Sequence, residues 1–276
     1  MANAGIDLEA EYNNRARVPD HGEHIAAWHR DAAAYRANAR CELDLAYGPG
    51  ERNRLDIFYP EEGDSGGPVL LFIHGGYWQA LDKSSASHLA RGPNMRGLTV
   101  AVPSYTLAPQ AGLATIVREI EAAADFIVRQ TGRPLVASGH SAGGHLSACL
   151  MARPDAPRQQ RVLAAMPISG LFDLSPLVPT SINRALGLTA EEARRLSPIE
   201  WTAPNDGSLV AIVGGAESSE FLRQSRMIVE QWGNAGVATR YHEVPGAHHF
   251  NVIGGLADPD DPLVDMLVEL AGTCVR

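Results

Sequence analysis

The sequence predicts an α/β fold in which a mostly parallel sheet carries helices on both faces. Short, uninterrupted apolar runs are typical of strands buried on both faces of a sheet, and the run Val-Leu-Leu-Phe-Ile ending at Ile73 is one of them. Residues 113–130 read as a helix between two such runs, with Ile116, Ile120 and Ile127 marking one face. Strands that alternate with helices form βαβ units, and therefore a mostly parallel sheet.

About eight strands are expected along the chain. The first two are segments of alternating polarity joined by a Gly-Pro-Gly turn, so we expect them to pair antiparallel. The others are apolar runs, of which the last is the least apolar. The predicted strands cover residues 42–47, 53–59, 68–73, 98–102, 135–138, 162–168, 209–213 and 239–244.

The first forty residues are expected to form a helical arm. Ile25, Trp28, Ala32 and Tyr35 recur there at helical spacing. Such an arm either packs over the rest of the domain, which we favour, or shapes the mouth of a pocket.

One further stretch interrupts the alternation of strands and helices. We interpret residues 170–198 as an insertion that forms a small lid over the carboxyl edge of the sheet, where ligands bind in open α/β sheets. Residues 263–271 are predicted to close the fold as a helix. We therefore expect a single domain over residues 1–276, with the arm at 1–40 and the lid at 170–198.

Composition disfavours several classes of function. The 276 residues include 23 basic and 32 acidic ones, and the net charge of −9 disfavours a nucleic-acid partner, which would require a basic face. No run approaches the ~18 apolar residues of a membrane span, and the N-terminal stretch is not apolar like a signal peptide. Cys41, Cys149 and Cys274 are too few and too scattered for a disulfide framework or a zinc site. We expect a cytoplasmic protein without metal, cofactor, nucleic-acid partner or membrane partner.

The strongest chemical signal is the pattern G-x-S-x-G at residues 139–143. It follows a predicted strand and opens a predicted helix, which is the context that a nucleophile elbow requires. Side chains two residues before and after Ser141 would clash in so tight a turn, so Gly139 and Gly143 fit there. The following helix directs N–H groups toward a developing anion. Ser141 is therefore the predicted nucleophile, and an ordinary tight turn is the alternative.

A second glycine-rich turn, His-Gly-Gly-Tyr-Trp at residues 74–78, follows the first buried strand. Backbone N–H groups at Gly75 and Gly76 could face the same point as that of Ala142. Together they would form an oxyanion hole, in which each donor stabilises the transition state by ~3 kcal/mol. A plain turn between strand and helix is the alternative, and His74 is interpreted as structural.

An elbow serine takes its partners in the chain order acid, then histidine. His248 and His249 both follow the last predicted strand. The acid should follow the strand at 209–213, where Glu217 comes first and is expected to orient the imidazole. Glu220, three residues on, suits the start of a helix better and is the alternative acid. A vicinal histidine pair could suggest a metal, but no H-E-x-x-H motif or cysteine cluster accompanies it.

Together these motifs resemble the α/β-hydrolase superfamily, near the hormone-sensitive-lipase-like esterases and closer still to the kynurenine formamidase (arylformamidase)-like hydrolases. In that pattern the histidine directly precedes a phenylalanine, so the resemblance implies His249 rather than His248. Eukaryotic formamidases carry aspartate where this chain offers Glu217. The supporting stretches span nearly the whole chain, at residues 12–15, 81–83, 104–109, 220–225 and 249–253.

The resemblance implies a serine hydrolase that cleaves a small aryl formamide or ester through an acyl-enzyme, without a cofactor. Ser141, Glu217 and His249 would carry the reaction, and Tyr77 and Trp78 would form an apolar wall for an aromatic leaving group. A broad-specificity short-chain carboxylesterase is one alternative. An inactive hydrolase fold that serves as a binding module is another. Relatives are often dimers, so a homodimer is one expected assembly.

Overall fold

A single eight-stranded sheet organises the chain in a computed structural model that describes residues 5–153 and 162–274. Its spatial order is β1-β2-β4-β3-β5-β6-β7-β8. Strand β2 pairs antiparallel with both β1 and β4, and all other pairs are parallel. This confirms the expected mostly parallel sheet. The strands are β1 (Cys41–Ala46), β2 (Arg54–Phe58), β3 (Val69–Ile73), β4 (Val100–Pro103), β5 (Leu135–His140), β6 (Val162–Ile168), β7 (Ser208–Gly214) and β8 (Ala238–Val244).

Helices cover both faces of this sheet. The long helix after β4 buries Ile116, Ile120 and Ile127, the face that the sequence indicates, and it ends at Gly132 in the left-handed conformation. No helix within the described ranges is long and apolar enough to cross a membrane. The α-helices described are α1 (Leu8–Tyr12), α2 (Asn14–Arg17), α3 (His21–Asn38), α4 (Arg91–Met95), α5 (Leu113–Thr131), α6 (Ala142–Met151), α7 (Asn183–Leu186), α8 (Ala190–Arg195), α9 (Ser219–Asn234) and α10 (Pro262–Thr273).

Strand β3 is apolar at every position because both of its faces are covered. Successive side chains of a strand point to opposite faces of the sheet. Leu71 and Ile73 pack into the apolar cluster that contains α5, whereas Leu70 and Phe72 pack into the cluster on the other face, with Leu267 of α10. Both faces of β3 are therefore covered, as the sequence predicts.

The predicted end of β5 was two residues too early. The predicted strand stops at Ser138, but Gly139 still pairs with β3 opposite Ile73, and His140 pairs with β6 opposite Ile168. Gly139 has no side chain because the strand leads here directly into the tight turn at the elbow. The parallel strands β3, β5, β6 and β7 therefore end at the same edge of the sheet.

Two segments lie across that edge. Residues 5–40 form α1, α2 and α3, and α3 buries Trp28 and Ala32. Residues 170–198 contain α7 and α8. Only part of this segment lies over the sheet edge, because Leu171, Leu174 and Leu177 are fully buried in the core.

Candidate active site

Ser141 occupies a strained turn between β5 and α6. Its φ of 57° and ψ of −114° are unusual for a residue with a side chain. The backbone N–H of Ser141 donates to the carbonyl of Ile168 at 2.8 Å, and the carbonyl of Ser141 accepts from the N–H of His145 at 3.1 Å. The turn is therefore held by β6 on one side and by its own helix on the other.

The glycines of the elbow are required by close backbone approaches. A Cβ atom on Gly143 would lie 1.9 Å from the carbonyl oxygen of Ile73, and one on Gly139 would lie 2.5 Å from the carbonyl oxygen of Gly143. No side chain fits at such distances. The backbone on both sides of Ser141 therefore leaves no room for a side chain, as the motif predicts.

His249 and Glu217 form a buried pair at the same edge of the sheet. The Nδ1 atom of His249 lies 2.6 Å from Oε2 of Glu217, and the Glu217 side chain has no exposed surface. The other carboxylate oxygen, Oε1, accepts from the backbone N–H of Gly214 at 2.9 Å and from the hydroxyl of Ser169. Because Glu217 occupies Nδ1, the second ring nitrogen of His249 remains for another partner.

The alternative acid and histidine lie elsewhere. His248 packs against His24 with the ring centroids 4.9 Å apart, and it does not line the cavity that contains Ser141. Glu220 accepts from the hydroxyl of Tyr12 at 2.7 Å and from Arg223 at 2.8 Å. Burial alone would raise the pKa of Glu220, but these hydrogen bonds outweigh it and hold the pKa below the ordinary value. Glu220 therefore ties the arm to α9.

His248 and His249 are not part of a cluster of metal-ligating side chains in the described part of the chain. Across residues 5–153 and 162–274, no three His, Cys, Asp or Glu side chains come together as ligands would. His248 and His249 are consecutive, but they contact different neighbours.

The glycine turn after β3 passes directly beside the elbow. A Cβ atom on Gly75 would lie 3.2 Å from Cβ of Ser141, and Gly76 has a φ of 97°. Ala142 is the first residue of α6, so its N–H has no acceptor within the helix. The structure thus places Gly75 beside Ser141, the residue next in the chain to Ala142, and Gly76 in the wall of the cavity that Ser141 also lines.

His74 supports this turn from behind. Its ring stacks on Tyr105, with centroids 4.3 Å apart and planes 7° from parallel, and its Nδ1 donates to the carbonyl of Gly75 at 2.8 Å. Burial lowers the pKa of His74 to about 4, so the ring is neutral near pH 7. The position agrees with the structural role expected from the sequence.

A cavity of about 370 Å³ opens above Ser141. The arm, the glycine turn, the elbow, the 170–198 insertion and the loop after β8 all contribute to its walls. The lining residues are Tyr12, Asn13, Asn14, Arg15, Ile25, Trp28, Gly76, Tyr77, Gln79, Ala80, Leu81, His140, Ser141, Ser181, Ile182, His249 and Phe250.

The expectation that Trp78 contacts substrate is corrected by the structure, whereas Tyr77 does line the cavity. Trp78 has no exposed surface and packs edge-on against His145, with centroids 5.1 Å apart. Both residues have a positive φ, 50° and 58°, so the chain turns and sends the larger indole into the core. Trp28 of the arm, rather than Trp78, lines the cavity.

The sequence did not indicate that His140 lines this cavity, or that residues of the arm form part of its wall. The ring of His140 lies 4.6 Å from that of His249. Burial, together with the nearby His249, lowers the pKa of His140 well below its ordinary value, so it adds no charge near pH 7. The helical spacing that includes Trp28 predicts a buried face of the arm, but it does not show which part of the protein that face covers.

The sheet order and the strand–serine–helix elbow define the chain as an α/β-hydrolase. The BD-FAE family model matches residues 55–162. The kynurenine formamidase of Drosophila melanogaster is 31% identical over 231 residues, which cover 78% of this chain and 77% of that protein. That of Salmo salar is 28% identical and covers 90% of this chain and 88% of that protein. The chain belongs to the kynurenine formamidase family, and it is a hydrolase of the formamidase and esterase class.

Solved structures agree with this assignment. A protein from Silicibacter sp. TM1040 described as a thioesterase is 37% identical, with a TM-score of 0.87 over 96% of this chain and 100% of that one. An esterase from Pyrobaculum calidifontis shares 18% identity and a TM-score of 0.74 over 93% of this chain and 94% of that one. The second likeness concerns the fold alone.

Proposed function

We propose that Ser141, His249 and Glu217 act as nucleophile, general base and supporting acid in the hydrolysis of a small aryl formamide or ester. The observation that carries this proposal is the buried 2.6 Å contact between His249 Nδ1 and Glu217 Oε2, with His249 lining the same cavity as the elbow serine. A histidine held by a carboxylate beside a strained serine is the arrangement that activates a hydroxyl.

In the proposed reaction His249 removes the proton from Ser141 as the hydroxyl attacks the substrate carbonyl carbon. The N–H groups of Ala142 and of the turn at Gly75 and Gly76 stabilise the negative charge on the carbonyl oxygen. Glu217 stabilises the imidazolium. His249 then protonates the leaving amine or alcohol, and water repeats the sequence on the acyl-enzyme to release the acid.

The cavity favours an aromatic leaving group. Tyr12, Trp28, Tyr77 and Phe250 lie among its walls, and aromatic walls with a few polar groups are typical of small-molecule sites. Two relatives that the chain matches over most of its length are kynurenine formamidases. An aryl formamide is therefore the substrate class that we propose first.

The direct test combines Ser141→Ala with covalent labelling. We expect a fluorophosphonate probe to label Ser141, and Ser141→Ala to retain less than about a thousandth of wild-type turnover, as expected when the nucleophile is lost. Higher retained turnover would contradict the mechanism. Absence of labelling in the wild type would favour a binding module instead.

A short-chain carboxylesterase is the second candidate, since the Silicibacter protein is described as a thioesterase and the same acyl-enzyme chemistry cleaves oxygen esters. Values of kcat/KM for N-formylkynurenine, p-nitrophenyl acetate and p-nitrophenyl butyrate distinguish the two candidates. A clear preference for the simple esters would replace the formamidase proposal.

We further propose a cytoplasmic location and a homodimer. The three cysteines are free, which fits a reducing compartment. Sedimentation of the purified protein at several concentrations tests the assembly.

A further inference from the structure

We infer that Ser169 is a positioning residue for the proposed triad, and that its hydroxyl fixes the carboxylate of Glu217 in the orientation that His249 needs. This inference rests on the proposed function and adds a fourth side chain to the three that carry the reaction. Its basis is the backbone conformation of Ser169, its burial, and the contacts that the end of β6 makes with the two neighbouring strands.

Ser169 is the first residue after β6, and its backbone is strained. Its φ of 50° lies in the left-handed region, which a residue with a side chain rarely adopts. Among the described residues, Ser141 is the other serine with a positive φ. Glycine adopts such a φ without steric cost, so a serine held there indicates that its side chain is used.

The hydroxyl of Ser169 is committed to the proposed acid. Ser169 has no exposed surface, and its hydroxyl donates to Oε1 of Glu217. The backbone N–H of Gly214 donates to the same oxygen at 2.9 Å. A carboxylate without exposed surface depends on the donors around it. These two donors hold Oε1 and leave Oε2 facing Nδ1 of His249 at 2.6 Å.

Two consecutive residues after and at the end of β6 hold both the nucleophile and the acid. The carbonyl of Ile168 accepts from the N–H of Ser141 at 2.8 Å. The N–H of Ser169 donates to the carbonyl of Ile212 in β7 at 2.7 Å. Because β6 lies between β5 and β7 in the sheet, the same short piece of backbone fixes the elbow and places the Ser169 hydroxyl against Glu217.

The orientation of the carboxylate matters in the proton transfer. His249 becomes positively charged when it removes the proton from Ser141, and Glu217 stabilises that charge through Oε2. Without the Ser169 hydroxyl, Oε1 keeps one donor and the carboxylate is less firmly oriented. Ser169 does not line the cavity, so its loss should lower kcat and leave KM unchanged.

The test is Ser169→Ala, which removes the hydroxyl and keeps a Cβ atom. With p-nitrophenyl acetate at pH 7.5 we expect kcat to fall by about 10- to 100-fold, as for the loss of a hydrogen bond to a charged group, and KM to change by less than about twofold. In the Glu217→Ala background the same substitution should lower kcat by less than about twofold further, because the carboxylate that it would position is absent.

Ser169→Gly and Ser138→Ala are the controls. Ser169→Gly also lacks the hydroxyl but relieves the positive φ, so it should lose kcat like Ser169→Ala while unfolding at the same or a higher urea concentration. Ser138 is buried in β5, and its hydroxyl donates to the carbonyl of Met166 at 2.7 Å, away from Glu217. Ser138→Ala should therefore keep kcat within about threefold of wild type.

Four results would each overturn the inference. They are unchanged kcat in Ser169→Ala, recovery of kcat in Ser169→Gly, a change confined to KM, and an equal fold-loss in the Glu217→Ala background. If Ser169→Ala does not fold in the urea assay, the kcat of Ser169→Gly decides. Failure of the proposed function is distinguishable, because the wild type would then neither hydrolyse an ester nor be labelled at Ser141 by the fluorophosphonate probe.

Discussion

The contacts of Glu217 depend on the turn that carries it. The motif order narrowed the acid to Glu217 or Glu220, two glutamates three residues apart. The turn after β7 brings Glu217 back to its own strand end, where the N–H of Gly214 holds one oxygen and His249 contacts the other. Glu220 lies on α9 and faces the arm instead. The direction of each side chain, which depends on the turn, separated the two candidates.

Loss of charge at Glu217 should impair catalysis far more than the same change at Glu220. Glu217→Gln keeps the size of the side chain but cannot stabilise the imidazolium, so we expect kcat to fall by about 100- to 10,000-fold. Glu220→Gln should change kcat by less than about 10-fold. Steady-state kinetics on an aryl ester at pH 7.5 measure both. Similar losses in the two variants would argue against the assignment of Glu217.

The arm is the element whose role the sequence left open. Packing over the domain was the favoured interpretation, but α1, α2 and α3 also line the cavity. Trp28 stacks on Phe250, which directly follows His249, with ring centroids 6.0 Å apart and planes 26° from parallel. Helical spacing identifies a buried face, yet it cannot tell which surface that face covers, because the covered surface comes from distant parts of the chain.

Tyr12 should be the most sensitive attachment of the arm. Its buried hydroxyl donates to Glu220 at 2.7 Å and accepts from Gln224 at 3.0 Å. Tyr12→Phe leaves both groups short of a partner, so we expect a loss of about 1–3 kcal/mol in the free energy of unfolding, together with a higher KM and little change in kcat. Urea unfolding and steady-state kinetics are the measurements. Unchanged stability and KM would mean that the arm is held by other contacts.

At the scale of the whole molecule, we infer that the described residues, 5–153 and 162–274, fold as one domain with an arm and a lid. Ser141 follows β5, Glu217 follows β7, and His249 follows β8 of the same sheet. The arm and the 170–198 segment contact each other through Glu9 and Ser181. A division of the described chain anywhere between Ser141 and His249 would therefore separate the proposed catalytic groups.

Buried histidines should make stability fall as the pH is lowered. Burial lowers the pKa of His74 and of His145 to about 4, from an ordinary value of 6.5. Between these values the unfolded chain binds protons that the folded chain does not, so stability is full above about pH 6.5 and decreases toward pH 4, by up to about 1.4 kcal/mol per pH unit for each histidine.

Urea unfolding at pH 7.5, 6 and 5 measures this dependence. We expect the free energy of unfolding to decrease over the series, and His145→Gln to reduce the slope. His29→Gln serves as the control, because His29 is exposed on α3. A free energy that does not change between pH 7.5 and 5 would contradict the prediction.

The sequence by itself determined the mostly parallel sheet, the elbow at Ser141 and the glycine turn beside it. These depend on local rules: apolar runs for buried strands, and glycine where backbones approach too closely for a Cβ. Only the tertiary structure decided that Glu217 rather than Glu220 meets His249, that Trp78 lies in the core, and that Trp28 and Arg15 line the cavity. Each of these depends on side-chain direction and on contacts between residues far apart in the chain, which periodicity and spacing do not encode.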